Sequence, residues 1–159
     1  MLSSMRFTRW WNPSLPQTLG IAVMLLYFDA VFGLMATVGF GLGNSAYIFL
    51  APLLNGDTVT EASLRNVTIV VTIAVLIASL AYGYAGLAIS NGQQLGWRVG
   101  VAVAVGAVIL PVAAGQLGFV LGSLYIITYV FNVALVALLL HPQSRKYQKV
   151  WFDKPVRRR

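Results

Sequence analysis

Among the long apolar stretches of this chain, Asp29 is the only acidic side chain. A carboxylate in such a place has two uses: it can titrate or bind a cation along a transport path, or it can be a neutral or hydrogen-bonded group that fixes helix packing. Counting from Thr18 at ~1.5 Å per residue puts it roughly 16 Å into an apolar run, where insertion costs about 2.5–3.5 kcal/mol for Asp. Its helical neighbours at i−7, i+4, i+7 and i+8 are Ala22, Gly33, Ala36 and Thr37, a small-residue face on which another helix can approach closely. The expected orientation is therefore toward protein. The same depth count places Ser79 and Asn132 at roughly 15 Å and 14 Å in two other runs, with Thr128 one turn from Asn132. Asp29, Ser79, Thr128 and Asn132 are thus the expected intramembrane polar layer.

Little else in the sequence carries chemistry. Zero cysteines and one histidine exclude disulfides, thiolate metal sites, iron–sulfur ligation and paired intramembrane histidines for a haem. Paired carboxylates, a Ser-His-Asp or Cys-His set and a metal-ligand cluster are likewise missing, so neither an enzyme nor a cofactor is expected. The run Gly39-Phe40-Gly41-Leu42-Gly43 lacks the preceding strand that a phosphate-binding loop needs.

The elements that must hold these residues follow from composition. With 58% hydrophobic and 9% charged residues in 159, the chain has no polar exterior to offer water. An all-α membrane protein is expected, with four transmembrane helices in an antiparallel bundle over residues 18–141. Apolar runs at about 18–40, 67–89, 97–115 and 122–141 are each long enough to approach or cross a core of ~30 Å. A polar turn over 90–96 joins the second and third into a hairpin, a Gly-rich turn over 115–118 precedes the fourth, and Pro142 is expected to stop it. The outer loop 41–66 contains an apolar piece, 46–54, too short to span; it reads as interfacial, re-entrant or a plain loop.

Orientation follows from the basic residues. With both termini cytoplasmic, ten of the eleven Lys and Arg lie inside and only Arg65 outside. Trp10, Trp11, Trp97 and Trp151 then fall near the inner boundary, as an aromatic belt does. The expected location is a cell membrane, bacterial and cytoplasmic. The net charge of +7 is explained by topology, and no separate basic domain exists to bind nucleic acid.

Residues 1–17 form a cytoplasmic or interfacial segment and 142–159 a basic, aromatic tail. Arg9, Trp10, Trp11, Arg145, Lys146, Lys149, Trp151 and Phe152 are the expected docking residues, for anionic lipid headgroups or for other membrane subunits. The same charges would serve simply to set topology.

The opening Trp10-Trp11-Asn12-Pro13-Ser14-Leu15-Pro16-Gln17-Thr18-Leu19 and the closing His141-Pro142-Gln143-Ser144-Arg145 resemble those of small four-helix membrane proteins of actinobacterial type. Some such proteins are accessory subunits of respiratory supercomplexes, and the resemblance carries over no catalytic residues. Together with the adhesive ends and small-residue helix faces, it implies a non-catalytic accessory or assembly subunit of a larger, respiratory or energy-converting membrane complex. The alternative is a small transporter or ion- or proton-conducting protein built on Asp29.

Overall fold

The computed structural model describes residues 10–41, 61–113, 115 and 125–152. These form five helices and, among the described residues, no strand: α1 (Gln17–Gly41), α2 (Glu61–Ser90), α3 (Gln94–Ala113), α4 (Tyr125–Leu140) and α5 (Pro142–Trp151). The expected outer segment 46–54 lies outside the described residues, as do Arg9 and most of the turn over 115–118.

Three stretches are long and apolar enough to cross a membrane, namely Gln17–Val38, Thr68–Ser90 and Gln94–Ala113. The described part of α4 is 16 residues, about 24 Å, and reaches a span's length only together with α5, from which it is bent by 54°. The described residues therefore hold three to four candidate spans, as a multi-pass membrane protein does. Helix α2 begins six residues earlier than the apolar run suggests, at Glu61 rather than 67. Backbone hydrogen bonds can close as well outside the apolar layer as within it, so a helix need not start where hydropathy does.

Pro142 both ends and begins a helix. It cannot continue the α4 ladder, yet its missing N–H is no loss at the first position of a new helix. His141 caps that helix, its Nδ1 accepting from the Gln143 N–H at 3.3 Å. The tail expected to follow the bundle is thus helical over its first ten residues. Between α2 and α3, Gly92 takes a left-handed φ of 71°. The Gly92 and Gln93 N–H groups donate back to Ile89 and Ala88 at 3.0 and 2.9 Å, closing the end of α2 with a Schellman-type turn.

The helices pack in a ring: α1 on α2, α2 on α3, α3 on α4, and α4 back on α1, with α5 against α4 and α1. Partners run in opposed register. Gly33, Ala30 and Tyr27 of α1 meet Ser79, Gly83 and Gly86 of α2, and Gly96 and Gly100 of α3 meet Ala88 and Ala85 of α2. The stripe Gly96, Gly100, Ala104 is buried, since residues without long side chains allow the α2 and α3 backbones to approach.

Burial is uneven along the ring. Its core consists of Leu19, Ala22, Val23, Leu26 and Ala30 of α1, Tyr82, Ala85, Ala88 and Ile89 of α2, Ala104 of α3, and Leu135 and Leu139 of α4. All lie toward the end at which α1 and α3 start and α2 and α4 finish. Among the described residues, none of 31–38, 65–78, 105–113 or 126–131 is buried.

Candidate functional site

The edge of that core is polar. Among the described residues, Asp29 lies next to the last buried residue of α1, Ser79 is the first buried residue of α2, and Asn132 is the first of α4. The three are 5%, 2% and 6% exposed. Packing along the two seams of α1 brings them within about one helical turn of one another. On one side a Cβ at Gly83 would lie 3.7 Å from Ala30; on the other, the rings of Phe28 and Phe131 meet edge to face with centroids 5.1 Å apart. Gly33 completes the arrangement one turn along, for a side chain there would run into the Ser79 hydroxyl.

Each polar group has a different partner. Ser79 donates to the carbonyl of Val75 at 2.7 Å, within its own helix. Asn132 donates from Nδ2 to the carbonyl of Thr128 at 2.9 Å, and its Oδ1 accepts from the Tyr82 hydroxyl at 2.6 Å. The Tyr82 oxygen also lies 3.3 Å from the carbonyl of Val103, so this phenol ties α2 to both α3 and α4. Asp29 differs: both carboxylate oxygens are buried and accept no hydrogen bond. An ionised carboxylate in that position costs several kcal/mol unless a proton, a cation or water satisfies it.

Tyr82, 6% exposed, is a member of the layer that sequence reasoning missed. Tyrosine in a membrane helix reads first as an interfacial residue. The available signal was spacing, because Tyr82 stands three residues from both Ser79 and Ala85 and so shares their face. Thr128 is only half-buried and enters the layer through its backbone carbonyl. Among the described residues no group of three His, Asp or Glu could hold a metal ion. The layer thus holds one carboxylate without a hydrogen-bond donor, together with a hydroxyl, an amide and a phenol that are already hydrogen-bonded.

The expected docking residues are distributed differently from their grouping in sequence. Trp10 and Trp151 are 74% and 61% exposed, and Arg145, Lys146 and Lys149 are exposed as well. Phe152 is not a docking residue: it is 6% exposed, a member of the core, and packs edge to face on Tyr147 with centroids 6.0 Å apart. Trp11 is half-buried and packs toward Gly20, where a Cβ would lie 3.6 Å from its ring. The physical reason is that the Trp10–Pro16 segment folds back along α1, its Trp10 carbonyl accepting from the Tyr27 hydroxyl at 2.7 Å. At the same end of the bundle, Trp97 donates from Nε1 to the carbonyl of Leu139 at 3.1 Å.

Helix α5 is tied down by its inward face. Ser144 is fully buried, donates to the carbonyl of Leu138 at 2.7 Å and lies 3.0 Å from the Thr18 hydroxyl of α1. Gln148 is buried one turn on. Comparison with known proteins places no relative beside this arrangement, since no family model, curated protein or solved structure matches the chain.

Proposed function

We propose that this protein is a non-catalytic accessory or assembly subunit of a larger membrane complex of the respiratory or energy-converting kind. It would sit as an antiparallel four-span bundle in a bacterial cytoplasmic membrane with both termini inside. The opposed register of helix contacts, the near exclusion of Lys and Arg from one side, and the gathering of Trp10, Trp11, Trp97 and α5 at the other end support that placement. Other membrane subunits and anionic headgroups are its partners in this reading; nucleic acid is not. One observation carries it: beyond the polar layer no described side chain is buried. Four helix ends without a core of their own present apolar surfaces such as Val31, Met35, Val70, Ile77 and Leu110. Within lipid, neighbouring helices associate through van der Waals packing, and this half has much apolar surface still to offer.

The test is purification from native membranes in mild detergent, with a photo-crosslinking amino acid at Val70 or Leu110 and, as control, at Leu95. Co-purifying subunits crosslinked from the first two positions are expected. A protein that runs alone and crosslinks only to lipid overturns the reading.

A second reading, a small proton- or cation-conducting protein, is favoured by the unsatisfied carboxylate of Asp29. In this case Asp29→Asn abolishes flux in reconstituted vesicles while assembly persists, and dicyclohexylcarbodiimide labels Asp29 in the wild type. Full function with Asn at this position removes the reading.

A further inference from the structure

A groove of about 300 Å³ opens between the start of α1 and α5, lined by Pro16, Gln143, Lys146, Tyr147, Val150 and Trp151. From it we infer an anionic phospholipid site, with the headgroup phosphate on Lys146. The inference names a ligand site for the lipid contact proposed above. It rests on placing α5 at the inner membrane boundary, not on the subunit role.

The groove is made by helical spacing. Position 143, the pair 146 and 147, and the pair 150 and 151 recur at three- and four-residue intervals, so they share one flank of α5. Ser144 and Gln148 face inward, and Phe152 closes the end against the core. Arg145 and Lys149 belong to another flank, exposed but outside the groove. The walls are therefore held by buried contacts, which spares the lipid much of the cost of ordering them. Tyr147 is braced on both sides, with ring centroids 6.2 Å from Trp151 and 6.0 Å from Phe152.

The lining also has the two-sided chemistry of a headgroup site. Lys146 supplies a charge and three donors and Gln143 an amide, whereas Pro16, Val150 and the Trp151 ring supply apolar surface. Val150 and Trp151 are 46% and 61% exposed, an arrangement that water disfavours and the headgroup zone accepts. Three candidate spans begin or end beside this corner, at Gln17, Ser90 and Gln94, and the α4–α5 bend of 54° lies there too. Acyl chains would then have the exposed Ile21 and Met24 of α1, farther along the helix from Pro16, as apolar surface. A soluble acidic peptide would be matched by the charge but would leave Val150 and Trp151 without their apolar partner.

The experiment is native mass spectrometry of the full chain in mild detergent, titrated with phosphatidylglycerol or phosphatidylcholine. The wild type is expected to retain the anionic lipid more tightly. Lys146→Gln should weaken that retention about fivefold, the factor expected for one basic group near an anionic surface, and Lys146→Arg should restore it. Lys149→Gln serves as the control on the other flank and should leave retention unchanged. Equal retention of the two lipids overturns the site. So does an equal loss in Lys146→Gln and Lys149→Gln, which would mean diffuse surface charge. A co-purifying polypeptide released by Lys146→Gln but not displaced by phosphatidylglycerol would assign the groove to a protein instead. Both lysines are exposed, so neither substitution endangers folding, and circular dichroism checks this.

Discussion

The two halves of the helical ring are made of the same residue types and do different things with them. Toward α5, Leu26, Ile89, Leu135 and Leu139 are fully buried and glycines bring backbones together; beyond Asp29, Val31, Met35, Val70 and Leu110 are more than half exposed. Composition does not separate the halves, since both are apolar. Close approach does: Gly96 and Gly100 draw α3 onto α2 at one end, whereas a Cβ at Gly106 would meet nothing within 4 Å. The lesson is that in this chain an apolar side chain reports depth in the membrane, while a small one reports which helix comes near.

Two substitution pairs and one single substitution would break or sharpen that contrast. The largest effect is expected at the core, where Leu135→Ala removes a fully buried side chain and should cost about 2–5 kcal/mol, while Leu110→Ala should stay within about 0.5 kcal/mol. Unfolding of the two variants in mixed micelles compares them directly, and equal losses would erase the distinction between the halves.

Next comes close approach. In Gly96→Ala the new methyl lands on Ala88, whose carbonyl carbon, like the Ile89 nitrogen, would be 3.0 Å away. The backbones must separate, at about 1–3 kcal/mol, despite the gain in helix propensity. Gly106→Ala has open space and should be neutral or slightly stabilising; thermal stability of both in one detergent is the measurement.

The smallest effect concerns the layer between the halves. Tyr82→Phe deletes the hydroxyl that donates to Asn132 and leaves Oδ1 without that donor, for a loss of about 1 kcal/mol. If the layer merely fills space, a thermal melt of this variant will match the wild type.

Much of this organisation is legible in the residues, though unevenly. The apolar runs announce helices because an uncharged stretch of such length must satisfy its backbone internally in lipid. Asp29 stands out as a carboxylate in an apolar run, and Ser79 and Asn132 follow from it by depth, because depth follows from a fixed rise per residue. Phe152 was misplaced because an aromatic beside basic residues looks like a surface anchor. Yet Ser144, Gln148 and Phe152 repeat every four residues, the spacing of a single helix face. Pro142 read as a terminator because a proline's effect on the preceding helix is local, whereas its role as the first residue of the next one depends on His141 capping it.

By itself, the order of residues determined that the chain is helical, apolar over several membrane-length stretches, lopsided in charge and equipped with one carboxylate among them. Each of these depends only on local covalent geometry and on transfer from water to lipid. The tertiary structure alone decided that the core stops at the Asp29 level, that Tyr82 holds Asn132, that Asp29 has no donor, and that α5 turns back to build a groove with Pro16. Those depend on which helix faces meet and at what angle, and neighbouring helices of nearly uniform apolarity leave that choice to packing.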